Sequence, residues 1–172
     1  MADSRLVGDA GTYLVAAKLA LRGWATVLTT SGTWRTDLLA QVGDDHLPVA
    51  IQVKTKSPGS KNFQPGSISD PAREGANEWV VLVALADDPR FYVVPRDIVV
   101  ATVKAFDLAI GGRVALGEQE FEAYQNEWSL LERPAWKHRW RLPQWVYERR
   151  DDMEWAGHAG VPEDTEIVRL EP

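Results

Sequence analysis

One continuous apolar segment, E-W-V-V-L-V-A-L-A at residues 78–86, constrains the fold more than any other part of the sequence. A strand with one face in water alternates apolar and polar residues, whereas this segment has no polar residue after its first. We therefore predict a strand at the centre of a sheet, with both of its faces covered by other elements. Such layering is typical of an α/β domain.

The length of the chain sets the number of domains. Its 172 residues bury one substantial core and are too few for two ordinary domains. The composition, 45% hydrophobic and 26% charged, is that of a globular protein, and no apolar run reaches the roughly 20 residues of a membrane-spanning helix. We predict a core domain at residues 1–131 and a C-terminal segment, residues 132–172, that packs on or beside it.

The residue types that the chain lacks exclude several kinds of site. It has no cysteine, which excludes disulfides and thiolate metal sites. Its three histidines are too far apart in the sequence to form a local pair of ligands. A metal ion would therefore be a hard cation held by oxygen atoms. The N-terminal residues lack the apolar core of a secretory signal, which favours a cytoplasmic protein.

Residues 6–21 carry the clearest helical pattern, because apolar residues recur there at the spacing of one helix face. Gly23 follows as a typical helix end. Gly8 and Gly11 inside this helix each cost roughly 1 kcal/mol relative to alanine. They indicate a close backbone approach or a late helix start, with fraying of the first turns as the alternative.

Five strands are predicted from apolar and β-branched runs that are bounded by turn residues. They span residues 24–30, 36–42, 48–55, 78–86 and 90–94. Turn residues join the second and third strands into a hairpin. A helix is predicted from Pro95 to about Phe106, and an amphipathic helix over residues 118–131, whose aromatic residues are expected in the core.

The long connection at residues 57–77 is rich in proline, glycine and serine and has no apolar period. Long loops of this kind in compact domains are commonly functional or disordered. We interpret it as a loop that faces a substrate, with one short helix near residues 71–75, and keep disorder as the alternative.

The third strand, with V-A-I-Q-V-K-T-K at residues 49–56, carries the polar residues most suited to chemistry. Alternate residues of a strand share a face, so Gln52 and Lys54 point to one side of the sheet. A buried, unpaired lysine is costly, and Asp37 in the preceding strand is the acid placed to relieve that cost. The alternative is a solvated hairpin face with Gln52 and Lys54 in water.

A helix with G-D-A-G, a strand, D-L-L, a turn and I-Q-V-K-T-K, in that order, resembles the restriction-endonuclease-like PD-(D/E)XK nuclease superfamily, in its Q-x-K branch. The resemblance covers about residues 6–95. It implies an α/β fold with a mixed central sheet flanked by helices, in the order α-β-β-β-α-β. It also implies cleavage of DNA that depends on Mg²⁺ or Mn²⁺.

The resemblance also implies roles for three residues. Asp37 matches the aspartate that binds the metal, and Gln52 matches the residue that contributes a side-chain oxygen near it. Lys54 matches the lysine that orients or activates the attacking water and stabilises charge on the phosphate. These roles suit phosphodiester hydrolysis, in which negative charge develops.

The first helix departs from the family pattern, in which a glutamate often follows the second glycine. Thr12 stands at that position, and Asp9, about one turn earlier, is the further metal ligand that we predict. The alternative role of Asp9 is interaction with the dipole at the helix N-terminus. A catalytically inactive nuclease-like module that binds DNA or a protein is therefore the competing function.

Basic residues predict contact with nucleic acid despite a net charge of -6. Arg35, Lys56 and Lys61 lie near the predicted site in the sequence and are expected to contact phosphates. Residues 133–150 interleave tryptophans with Arg and Lys, which favours binding to unpaired bases or, alternatively, tryptophans that pack over the sheet. DNA is the expected partner, a protein at the C-terminal segment and a homodimer are further expectations, and no membrane is expected.

Overall fold

A five-stranded mixed sheet forms the centre of the fold. The computed structural model describes residues 3–29, 35–44, 46–66, 68, 70–110, 114–153 and 160–169. The strands are β1 (Ala25–Leu28), β2 (Leu38–Gln41), β3 (Val49–Lys56), β4 (Glu78–Ala84) and β5 (Arg90–Pro95), and they lie in this order. β3 and β4 are parallel, whereas the other neighbours are antiparallel, including the predicted hairpin of β2 and β3.

Two long helices cover the sheet, which confirms the predicted α/β class. Helix α1 (Ser4–Ala20) follows Asp3, whose side chain caps it by accepting a hydrogen bond from the Arg5 amide. Helix α2 spans Arg96–Ile110. The sheet separates an α1-side core, with Val15, Leu19, Ile51, Trp79 and Val81, from an α2-side core, with Val80, Leu82, Val94, Ile98 and Ala101.

Strand β4 is completely buried, as its apolar run predicts, but it is not the middle strand. Trp79 packs into the α1-side core and Val80 into the α2-side core, and both are at most 1% exposed. The middle position belongs to β3, because the antiparallel pair of β1 and β2 adds two strands on its other side. The predicted central position of β4 is therefore wrong by one strand.

Gly11 explains how closely α1 lies to β3. A Cβ atom added at Gly11 would lie 1.9 Å from the Thr55 hydroxyl oxygen, whereas one at Gly8 would have no atom within 4 Å. The close approach predicted from the two glycines is therefore confirmed at Gly11. The helix begins at Ser4 and so does not start late.

The connection between β3 and β4 is packed against the core. Phe63 and Ile68 are fully buried on the α2 side. Phe63 exchanges backbone hydrogen bonds with Leu116, and the Ala72 amide donates to Asp97 at 2.6 Å. These bonds hold the backbone to other elements, and the described residues of 57–77 form no helix. The predicted helix near residues 71–75, and with it the predicted helix between the third and fourth strands, is therefore wrong.

Helix α2 begins after β5 and is longer than predicted. Pro95 is the last residue of β5, paired with Trp79, so the helix starts at Arg96. It continues to Ile110, beyond the predicted end near Phe106. The apolar residues Val99, Val100 and Ala105 hold it on the sheet.

The amphipathic helix predicted over residues 118–131 is wrong. The chain instead forms two 3-10 helices, Gln119–Tyr124 and Trp128–Glu132. Between them Asn126 has a φ of 57°, and its amide donates to the Phe91 carbonyl at 2.8 Å. The first 3-10 helix packs into the α2-side core and the second into the α1-side core. The chain therefore crosses the edge of the sheet at β5, which one straight helix cannot do.

The C-terminal segment packs mainly against α2. Strands β6 (Arg141–Pro143) and β7 (Glu166–Val168) form a parallel pair, and helix α3 spans Gln144–Tyr147. Short 3-10 helices lie at Ala135–Lys137 and Arg150–Asp152. Leu142 and Val146 are fully buried in the α2-side core. Among the described helices, none is long and apolar enough to cross a membrane.

Candidate active site

Asp37 lies directly before β2 and is tied to β3 by two hydrogen bonds. Its backbone N–H donates to the Ile51 carbonyl at 2.8 Å. Its side-chain Oδ2 accepts from the Val53 amide at 2.7 Å. The carboxylate thus occupies a place that a backbone carbonyl fills in a regular ladder, which fixes its orientation. Oδ1 is the oxygen that this arrangement leaves for another group.

Lys54 is half-buried on the face of β3 opposite α1. Burial lowers the pKa of its amine, the nearby Arg96 charge lowers it further, and the Asp37 carboxylate raises it. Gly66 passes close above the lysine, since a Cβ atom there would lie 3.4 Å from Nζ. The opposing effect of the Asp37 charge agrees in direction with the prediction that this acid offsets part of the cost of burying Lys54.

Gln52 lies one alternate position before Lys54 and is only 8% exposed. Its Oε1 accepts a hydrogen bond from Nη1 of Arg96 at 2.9 Å. Arg96 is the first residue of α2, is 1% exposed, and also donates from Nε to the Asp70 carbonyl at 2.9 Å. The structure thus adds an arginine to the predicted site.

Glu78, at the start of β4, holds three arginines beside this site. It accepts from Arg35 at 2.9 Å and from Arg73 at 2.8 Å, and it lies 3.5 Å from Arg96. Arg35 reaches it from a backbone with a φ of 74°, a conformation that costs on the order of 1 kcal/mol outside glycine. The ion pairs at Glu78 offset that cost.

Asp9 and Thr12 do not join this site in the described structure. Helix α1 packs on the opposite face of β3, where Gly11 meets Thr55. Asp9 is exposed, and the Thr12 hydroxyl donates to the Gly8 carbonyl within the helix at 3.1 Å. Metal binding by Asp9 stays a prediction.

The three predicted phosphate contacts differ in exposure. Lys61 is exposed, whereas the side chains of Arg35 and Lys56 are each only 8% exposed. Lys56 donates to Glu118 at 2.7 Å and to the Lys61 carbonyl at 3.1 Å. Contact with DNA by these residues stays a prediction. Lys61 is the best placed of the three because it is exposed, whereas Arg35 and Lys56 are engaged in buried ion pairs.

Glu118 forms a second charged cluster at the far end of β3. It accepts from Lys56, from Arg90 at 2.6 and 2.8 Å, and from the Tyr92 hydroxyl. The hydrogen bond from Arg90 is the main reason that the pKa of Glu118 falls to about 2. A cleft of about 670 Å³ beside this cluster is lined by Lys61, Phe106 and Glu120, among others, but not by the predicted catalytic residues.

The tryptophans of the basic segment are mostly engaged within the protein. Trp140 is 8% exposed, and Trp145 packs edge-on against Phe106 with ring centroids 4.7 Å apart. Trp136 is 48% exposed and is available to an outside partner. The alternative in which these tryptophans pack within the protein therefore holds for Trp140, which lies in the α2-side core, and for Trp145, which packs on α2.

The described residues contain no group of three or more histidine, cysteine or acidic side chains that is able to hold a metal ion. At the predicted site Asp37 offers one free carboxylate oxygen, which is a ligand that Mg²⁺ prefers. The Gln52 oxygen already accepts from Arg96. The described side chains therefore provide one oxygen ligand for a hard cation, at Asp37, and few further ligands for the same ion.

Arg96 and Glu78 are the residues that sequence reasoning missed. Glu78 had a signal, because it is a lone acid at the head of an otherwise apolar strand. Arg96 stood in the sequence only as the start of a helix, and its long side chain returns across the sheet to Gln52. Arg96 and Gln52 are 44 residues apart in the sequence, so no local sequence pattern predicts their contact.

Comparison with solved structures finds a similar fold. The structure of a bacterial homing endonuclease, I-Ssp6803I, matches with a TM-score of 0.53 and 19% sequence identity. The match covers 76% of this chain and 93% of that chain. No family model matches the sequence, and no curated protein matches it. The similarity supports the nuclease-like α/β fold.

Proposed function

We propose that this protein is a metal-dependent DNA endonuclease, or a resolvase-like phosphodiesterase, of the PD-(D/E)XK type. The proposal rests on the electrostatic interaction between Asp37, which directly precedes β2, and Lys54 on β3. The Val53 amide holds the Asp37 carboxylate, Lys54 is half-buried beside it, and the fold is similar to that of a homing endonuclease. A carboxylate beside a half-buried lysine is an arrangement suited to phosphodiester hydrolysis.

The two residues have complementary roles in this proposal. Lys54 lies in a partly desolvated place, where a positive charge stabilises a developing negative charge more strongly than it does in water. Asp37 keeps one oxygen toward the site while Val53 fixes the other. The Asp37 carboxylate also favours the charged form of the lysine, because its negative charge raises the pKa of Lys54.

Mg²⁺ or Mn²⁺ is the proposed cofactor, held by the free oxygen of Asp37. A bound divalent cation polarises a phosphoryl oxygen and lowers the pKa of bound water. Asp9 remains a proposed further ligand only if α1 presents it differently when substrate is bound. Lys61 is the proposed phosphate contact with the clearest exposure, and Arg35 and Lys56 are the less favoured ones.

Cleavage assays on linear, supercoiled, single-stranded and branched DNA test the proposal, with Mg²⁺ and Mn²⁺. Wild-type protein is expected to cut at least one of these substrates. Cleavage should be lost in Lys54→Ala and Asp37→Asn. The matched control variants are Lys104→Ala and Asp107→Asn, which change the same residue types on α2. They are expected to cut normally. Absence of cleavage on every substrate with both metals would refute the enzymatic function.

The competing function is a catalytically inactive nuclease-like module that binds DNA or a protein. Two observations favour it: Thr12 stands where the family has a glutamate, and Asp9 is exposed on the helix that covers the opposite face. This function predicts no heat of Mn²⁺ binding in calorimetry. It also predicts that Lys54→Ala leaves folding and binding unchanged. Mn²⁺ uptake that disappears in Asp37→Asn would exclude it.

A further inference from the structure

The hydrogen bond between Arg96 and Gln52 determines which way the Gln52 amide faces. A guanidinium has only donors, so the atom of Gln52 that lies 2.9 Å from Nη1 must be the carbonyl oxygen. The orientation of this amide therefore follows from chemistry. The Nε2 group, with two N–H donors, points away from Arg96.

Arg96 has little freedom to release Gln52. It is 1% exposed, and its Nε donates to the Asp70 carbonyl at 2.9 Å. Glu78 lies 3.5 Å from Nε and balances part of the arginine charge. A guanidinium held at three points keeps its planar fork in one orientation. Gln52 consequently keeps its oxygen on Arg96.

The other end of the Gln52 amide faces a different environment. No described residue accepts a hydrogen bond from Nε2, and this nitrogen is not among the fully enclosed polar atoms without a partner. Lys54 shares the same face of β3, two residues further on. A cation and a pair of amide donors on one face form a site that suits an anion with several oxygens.

We propose that Gln52 donates a hydrogen bond from Nε2 to a non-bridging phosphate oxygen of DNA, and that Arg96 is the positioning residue that orients it. Gln52 is then a substrate-binding residue, which revises its expected role as a metal ligand. Its oxygen is directed to Arg96, and the positive guanidinium beside it disfavours a second cation at the same oxygen. The inference rests on the proposed function, because DNA is the anion.

The substitution Gln52→Glu separates the two roles of this residue. One glutamate oxygen can keep the hydrogen bond to Arg96, so the buried arginine retains a partner. The second oxygen replaces the N–H donors and repels phosphate. If Gln52 is a metal ligand, the same substitution supplies the carboxylate that binds cations better than an amide, and metal affinity should rise.

The experiment measures duplex DNA binding in EDTA by fluorescence anisotropy and Mn²⁺ binding by electron paramagnetic resonance. For Gln52→Glu we expect DNA affinity to fall about tenfold, as for one lost hydrogen bond to a charged group. We expect the Mn²⁺ dissociation constant to stay at the wild-type value. Gln125→Glu, an exposed position at the β5 edge, adds the same charge and is expected to change neither constant.

Arg96 is tested by two substitutions. Arg96→Lys keeps a donor-only side chain and should retain more of the DNA affinity than Arg96→Gln, which lets the Gln52 amide turn over. Thermal unfolding of both variants controls for lost stability. A merely structural arginine would give affinity losses that follow the melting temperatures and not the donor character.

Two results overturn the proposal while leaving the nuclease function intact. They are a wild-type DNA affinity in Gln52→Glu and a Mn²⁺ affinity that rises tenfold or more in that variant. Wild-type protein that neither binds nor cuts DNA overturns both the proposal and the nuclease function. Cleavage by the wild-type protein therefore distinguishes the two kinds of failure.

Discussion

Gly11 sets the distance between α1 and the strand that carries the candidate site. Its missing side chain leaves room for Thr55, whose hydroxyl oxygen would lie 1.9 Å from an added Cβ atom. Thr55 lies next to Lys54, on the opposite face of β3. A larger residue at position 11 would therefore push on the strand from behind the candidate site.

The substitution Gly11→Ala should lower the free energy of unfolding by about 1–3 kcal/mol, since the clash cannot be relieved without moving the helix or the strand. Gly8→Ala is the matched control, because nothing lies within 4 Å of its added Cβ atom. This control should raise the free energy of unfolding by about 0.5–1 kcal/mol. Urea denaturation measures both values. Equal effects of the two substitutions would contradict the close approach.

Residue patterns revealed the acid and the lysine but not the arginine. Asp37 directly precedes β2, and Gln52 and Lys54 lie on β3, so side-chain alternation and the predicted hairpin were enough to predict that these residues are neighbours. Arg96 reaches Gln52 with a long side chain from the start of α2, and Glu78 lies beside Arg96 from the start of β4. Such contacts depend on side-chain reach in the folded state, which strand and helix patterns do not contain.

At the scale of elements, Glu118 ties the end of β3 to the edge strand β5. Its carboxylate accepts from Lys56 on β3 and from Arg90 and Tyr92 on β5. The hydrogen bond from Arg90 does most to bring the pKa of Glu118 down to about 2. A carboxyl with a lowered pKa in the folded state stabilises the protein above its unfolded pKa near 4.5.

This stabilisation should disappear as the pH falls from about 4.5 toward about 2, because protonation removes the charge that the three donors bind. Between these pH values the free energy of unfolding of the wild-type protein should fall by about 1–2 kcal/mol more than that of Glu118→Gln, after allowance for solvent screening. Urea denaturation across this pH range measures the difference. Glu122→Gln, at an exposed position of the same 3-10 helix, should follow the wild-type curve. Parallel curves for the wild type and Glu118→Gln would show that this cluster is not stabilising.

The helix predicted over residues 118–131 is wrong because this segment passes around the edge of the sheet at β5. Residues 118–131 have the apolar spacing of a helix, and their aromatic residues are buried as expected. The chain must nevertheless pass from one core to the other around β5, and Asn126 makes the turn. The apolar spacing predicts that these residues are buried, but it does not predict that they are buried on the two different faces of the sheet.

At the scale of the whole molecule, the hairpin of β2 and β3 could be predicted because it is local, and the burial of β4 could be predicted because the strand is apolar after Glu78. The mixed sheet follows from one parallel connection, between β3 and β4, among antiparallel neighbours. The sequence could not show that this connection lacks a helix in its described residues. Phe63 and Ala72 hold this connection in place through hydrogen bonds to Leu116 and Asp97, which lie far along the chain.

In the proposed function Asp37 and Lys54 act as one catalytic unit, and a double-mutant cycle on the cleavage rate tests this coupling. Single-turnover rates would be measured for the wild type, Asp37→Asn, Lys54→Ala and the double variant on the DNA substrate that the wild type cuts. We predict that each single substitution lowers the rate at least about 100-fold, and that the double variant is little slower than either one. Wild-type rates in either single variant, or losses that add in the double variant, would contradict this coupling.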